Sequence, residues 1–214
     1  MDTIKLFDTL PCVFEKRDDL TSEVWHHNVF FQRGQHVLIE ANSGAGKSSL
    51  FSYIIGHRQD YLGKILFDER DIRSFRVCDW VQVRQHNLSL LFQDLRLFSE
   101  LTALENVEIK NNLTGFKPQK QILEWFDALG IGDKVNAKVG RMSFGQQQRV
   151  AMIRALVQPF DFLLLDEPIS HLDETNSCVM GDIMLQESKK QGAGVIVTSI
   201  GKHLALSYDK IYSL

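Results

Sequence analysis

Val37-Leu38-Ile39-Glu40-Ala41-Asn42-Ser43-Gly44-Ala45-Gly46-Lys47-Ser48-Ser49 is the stretch from which the rest of the chain is read. It opens on an apolar run of strand length, breaks into a glycine loop, and returns to helical spacing after Lys47. Glycines let a backbone curl so that successive N–H groups face one point. The following helix adds the positive end of its dipole, which suits the β- and γ-phosphates of a nucleotide. The expected phosphate-binding set is Ser43, Gly44, Ala45, Gly46, Lys47, Ser48 and Ser49. Lys47 would contact the β- and γ-phosphates, and the Ser48 hydroxyl would ligate magnesium. Ala41 stands where this pattern usually opens with glycine, and a negative φ there would make the exchange small in effect. The competing reading, a serine-glycine turn that binds nothing, has the strand before, the helix after and an acidic strand downstream against it.

That acidic strand is Phe160-Asp161-Phe162-Leu163-Leu164-Leu165-Asp166-Glu167, a buried run ending in two carboxylates. In phosphoryl-transfer enzymes the first such carboxylate holds magnesium, often through water, which makes Asp166 a metal candidate. Other strand candidates are Ile4 to Phe7, His36 to Glu40, Lys64 to Phe67, Leu88 to Phe92, Val195 to Thr198 and Lys210 to Tyr212. Helices are expected after Lys47, after Thr102, at Lys117-Pro118, at Ser143 and after Asp173. Apolar residues recur on one face at Ile122, Phe126 and Leu129, at Val150, Ile153 and Val157, and at Val179, Met180, Ile183 and Met184. Pro118 suits a first helical position. Residues 94–158 read as almost purely helical between strands, as expected of a helical subdomain inserted into a parallel α/β core.

A second phosphate-compatible element is Met142-Ser143-Phe144-Gly145-Gln146-Gln147-Gln148-Arg149. Ser143 followed by Gln146 is a capping-box pattern, so Ser143 is expected to open a helix whose N-terminus is another anion site. Together with the glycine loop and Leu165-Asp166-Glu167-Pro168, this stretch resembles the ATP-binding cassette (ABC) ATPases over nearly the whole chain. Within that family the chain looks most like the single-cassette subunits of lipoprotein-release and macrolide-export systems.

The resemblance implies an α/β fold: a P-loop NTPase core with a mostly parallel sheet, an antiparallel N-terminal β part and the helical insertion, as one domain over residues 1–214. It implies ATP and Mg2+ as ligands. Glu167 becomes the general base, with Lys47 on the phosphates. Leu90-Leu91-Phe92-Gln93-Asp94, with Leu101-Thr102-Ala103-Leu104-Glu105-Asn106-Val107 after it, is similar to the family's glutamine loop. There Gln93 would reach magnesium and water, and the loop would contact a membrane subunit. Ser143, Gly145 and Gln146 would serve ATP held by a second copy. Asp173, in Ser170-His171-Leu172-Asp173, would work across that dimer interface, or simply cap the next helix.

Besides Ala41, three positions depart from the family pattern. Met142 for leucine keeps volume and apolarity. Phe144 replaces a glycine at a first helical turn, where it is sterically allowed. Ser199 stands where the family places a histidine on the γ-phosphate; a hydroxyl is short and would reach phosphate only through water. His203, four residues on, is a surface histidine unless a shifted loop presents it. The expected consequence is slow or partner-dependent hydrolysis. For the adenine, Phe14 is the stacking candidate that follows the first strand and Trp25 is the second, with a core aromatic as the competing reading.

The remaining composition narrows the partners. The chain has 214 residues, 24 Lys and Arg against 27 Asp and Glu, and a net charge of −3, which offers no general attraction for nucleic acid. Cys12, Cys78 and Cys178 are far apart and odd in number, as in a reducing compartment. The first residues open no apolar signal segment, and no apolar run is long enough to span a bilayer. The expectation is a cytoplasmic subunit, peripheral on the inner or plasma membrane through a permease partner and paired with a second ABC subunit. A regulatory or scaffold protein that binds ATP and hydrolyses little is the second reading. The coiled-coil insertion of DNA-repair relatives is absent from this pattern.

Overall fold

The computed structural model describes residues 1–17, 20–170 and 172–214. His171, one of the expected residues before Asp173, lies outside them. Two sheets organise the chain. The first is antiparallel, in the order β2 (Val29–Gln32), β1 (Thr3–Pro11), β4 (Tyr61–Phe67) and β5 (Arg70–Asp71). Ile4 pairs with Phe31 on one side and Phe67 on the other. The second sheet runs β6 (Leu88–Leu91), β7 (Phe162–Asp166), β8 (Gly194–Ser199), β3 (His36–Glu40) and β9 (Lys210–Ser213). All of its pairings are parallel. Its inner strands β7 and β8 are buried at every position, as expected of a parallel sheet covered on both faces.

Among the described residues there are six α-helices: α1 (Lys47–Ile54), α2 (Val77–His86), α3 (Ala103–Asn111), α4 (Gln119–Ala128), α5 (Phe144–Leu156) and α6 (Glu174–Gln191). Helices α3, α4 and α5 all fall between β6 and β7. Their apolar faces meet one core that includes Val107, Ile122, Phe126, Val150 and Ile153. A second cluster, built on Ile4, Phe31, Leu50, Phe51 and Ile65, joins the antiparallel sheet to α1. Among the described residues no helix is long and apolar enough to cross a membrane.

Several local readings are corrected. Pro118 is the residue before α4, at φ −67° and ψ 144°, so the helix starts one residue later than expected; its extended ψ makes it a cap. Helix α2 and strands β2 and β5 were not anticipated. Helix α2 buries one apolar side chain, Trp80, which leaves no periodic pattern to read.

A buried ion pair fastens the helical layer to the sheet layer. Lys117, in the segment between α3 and α4, donates to Glu187 of α6 at 2.6 Å, with side chains 8% and 2% exposed. The ammonium also lies 4.4 Å from the Phe116 ring centre and 5.5 Å from that of Trp125. Removing one member of such a pair leaves a desolvated charge alone, at a cost of about 3–5 kcal/mol. Glu187→Ala is therefore expected to lower unfolding stability by roughly that amount in urea titrations.

Candidate nucleotide-hydrolysis site

The site forms where the C-terminal ends of β3, β7 and β8 lie side by side. Glu40 pairs with Ser199, and Asp166 with Thr198, so the loop after β3 and the carboxylates ending β7 emerge at one edge. This is the edge at which open parallel sheets bind ligands.

The loop after β3 needs its glycines. Gly44 and Gly46 have φ of 82° and 101°, and Gly46 precedes the first residue of α1. A Cβ on Gly46 would lie 3.1 Å from Trp25 and 3.2 Å from Phe14. Ala41 is not among the residues with positive φ, so alanine is unstrained there. Trp25 is 2% exposed and its indole N–H donates to the Ala45 carbonyl at 2.9 Å. It supports the loop from beneath, and its ring is not open for stacking. Phe14 is 9% exposed and belongs to the core cluster around Leu50 and Phe51, yet it also lines a cleft with Ser43, Gly44, Gly46, Lys47, Ser48, Ser49, Gln93 and Glu167; the Arg17 guanidinium is 5.4 Å from its ring centre.

The charged groups of the site are held by the backbone and by each other. Lys47, 6% exposed, donates to the carbonyls of Ala41 and Asn42, each at 3.1 Å. Its ammonium is 3.5 Å from a Glu167 carboxylate oxygen. Asp166 accepts from the Ser48 hydroxyl at 2.8 Å and from the Thr198 hydroxyl at 2.7 Å. The Ser48 hydroxyl is also 3.5 Å from Gln93 Oε1. Serine hydroxyl, carboxylate and amide oxygen are hard ligands of the kind magnesium takes, so this set fits the ion. Glu167 is itself in a left-handed conformation, φ 50°. Such a non-glycine outlier persists only where its surroundings impose it. Here its N–H donates to the Thr198 carbonyl at 3.2 Å, and its carbonyl accepts from Gln148 at 3.4 Å.

The other expected residues separate into two groups. Ser143 caps α5 as its sequence requires: its hydroxyl accepts from the Gln146 N–H at 3.3 Å, and Gln146 accepts from the Ser143 N–H at 3.0 Å. Gly145 sits in the first turn, with its carbonyl taken by Arg149 at 3.1 Å. The neighbouring Phe144 lines the cavity below Ser48, Gln93 and Glu167; Ser143, Gly145 and Gln146 line neither cleft. Asp173 caps α6 by accepting from the Asn176 N–H at 2.8 Å, and that bond together with the Asn176 side chain lowers its pKa.

Ser199 is not brought to the site. It is 1% exposed and its hydroxyl donates to the Lys202 carbonyl, which closes the turn after β8; Ile200 lines the cleft instead. His203 lies 3.7 Å from Glu40. Thr198 was missed by sequence reading, although the first hydroxyl after the apolar run Val195-Ile196-Val197 was the available signal. Thr198→Val keeps the shape and strips Asp166 of one donor. It is expected to cost about 1–3 kcal/mol of stability, read by chemical denaturation.

Similarity to known proteins extends over most of the chain. The sequence profile of the ABC transporter family matches residues 26–170. The lipoprotein-releasing system ATP-binding protein LolD of Rickettsia felis is 31% identical, over 87% of this chain and 84% of that protein. The phosphonates import ATP-binding protein PhnC of Lactiplantibacillus plantarum is also 31% identical, over 82% of this chain and 72% of that one. The dimeric ABC transporter cassette MJ0796 superposes with a TM-score of 0.76 at 25% identity, covering 92% of this chain and 87% of its own. The α/β fold and the sequence both match: the chain belongs to the ABC transporter family, as an ATP-hydrolysing nucleotide-binding subunit.

Proposed function

We propose that residues 1–214 act as one nucleotide-binding unit, with a helical subdomain over about 94–158, that hydrolyses Mg-ATP to drive an integral membrane permease. The observation that carries this reading is the meeting of Ser48, Gln93, Asp166 and Glu167 beside the Lys47 ammonium. The N–H groups of the glycine loop and the start of α1 receive the phosphates. Lys47 exchanges the Ala41 and Asn42 carbonyls for β- and γ-oxygens. Glu167 accepts the proton of the attacking water, whose orientation is fixed by the Gln93 amide. Ser48, Asp166 and Gln93 would hold magnesium, which would supply charge neutralisation on the phosphates. Phe14 takes the adenine face.

The capped start of α5, with Ser143, Gly145 and Gln146, serves ATP bound by a second ABC subunit, most simply a second copy of this chain, and Asp173 faces that interface. No nucleic acid is involved. The subunit sits on the cytoplasmic face of the membrane, held by its permease partner.

Two measurements test this reading. Glu167→Gln removes the base while keeping the shape; with saturating Mg-ATP it is expected to accumulate as a dimer in size-exclusion chromatography, and persistent monomers would refute the composite site. Ser199, turned towards Lys202, supplies nothing to the γ-phosphate. The chain alone is therefore expected to turn over below about 1 s−1, the low end of the usual enzyme range, and to accelerate when its membrane partner is added. Rapid turnover by the isolated chain would contradict this.

A further inference from the structure

After Gln93 the chain makes a turn that its residue types resist. Leu95 and Arg96 both have positive φ, 56° and 48°, a region that non-glycine residues seldom occupy. Local bonds hold the turn in part: the Leu95 N–H donates to the Phe92 carbonyl at 3.0 Å and the Arg96 N–H to the Asp94 carbonyl at 2.6 Å. The carbonyls of the two strained residues converge on one side chain. Arg154 donates through Nη1 to the Arg96 carbonyl at 2.6 Å and through Nη2 to the Leu95 carbonyl. Upstream, the Arg96 guanidinium lies 3.9 Å from the Phe92 ring centre, and Phe92 stacks on His57 at 6.0 Å and 8°. Gln93 is therefore bracketed between a stacked ring and a clamped turn.

Arg154 lies in the last turn of α5, the helix that begins after Ser143. We propose that Arg154 is a positioning residue for hydrolysis: its guanidinium fixes the left-handed turn that aims Gln93 at Ser48, and it transmits displacement of the Ser143 end of the helix to that amide. The proposal rests on the assignment of Gln93 to the hydrolytic site. A guanidinium suits the task because its planar fork meets two carbonyls at once, which an ammonium does not do in the same geometry. Burial lowers the Arg154 pKa to about 10, which leaves it charged at neutral pH.

The test is a double-mutant cycle on steady-state Mg-ATP hydrolysis, with R154A, Q93A and the double variant at protein concentrations that support dimers, and thermal unfolding followed in parallel. R154A and Q93A are each expected to lower kcat by about tenfold, with KM for ATP nearly unchanged. The double variant is expected to be no slower than Q93A, because both changes remove the same contribution. R154K is expected to recover only part of the rate. Multiplying losses in the double variant, or a raised KM with kcat intact, would overturn the role of Arg154 while leaving Gln93 in the site. An unchanged kcat in Q93A would overturn the assignment of Gln93 and the proposal with it. Should R154A fail to fold, R154K paired with Q93A carries the same cycle, with equality to Q93A expected and additivity refuting.

Discussion

Two hydroxyls from different elements meet on one buried carboxylate. Ser48 reaches Asp166 from the start of α1, and Thr198 reaches it from the neighbouring strand. A carboxylate that is 5% exposed is tolerable only when its oxygens are occupied by donors. Meeting that demand sets the height of α1 against the edge of the parallel sheet. It places Lys47 beside Glu167, and it leaves Gln93 within reach of the same hydroxyl. The glycine loop can then take a conformation that only its glycines allow, because both of its ends are fixed and Trp25 supports its middle.

Positions whose cause lies in a few adjacent residues were legible in the sequence. The glycine loop, the strand ending in Asp166 and Glu167, and the Ser143–Gln146 cap all follow from local chemistry, and the order of the other elements, apart from α2, β2 and β5, followed with them. What could not be read depends on distant partners. Phe14 was the first candidate for the adenine and Trp25 the second, and only the fold shows that the Trp25 indole N–H is spent on the Ala45 carbonyl. Ser199 could be placed at the end of its strand, but the direction of its hydroxyl depends on the loop carbonyl of Lys202. Helix α2 escaped because it packs through Trp80 with little else buried, and β5 because two residues carry no period.

The helical layer and the sheet layer are joined at points of unequal character. Near the start of α6 the contact is polar and half-exposed: Arg149 of α5 donates to the Asn176 side chain at 3.0 Å. At the opposite end the contact is a charge pair sealed from water, Lys117 with Glu187. Water can replace the first kind of bond at little cost, whereas separating the second exposes two ions to an apolar interior.

Helix α6 is therefore tethered to the helical layer near both of its ends, through Asn176 at its start and Glu187 close to its finish. The same helix bears Asp173 at one end and runs through Gly192 into β8 at the other, so the two tethers also tie the helical layer to the strand on which Thr198 bonds Asp166.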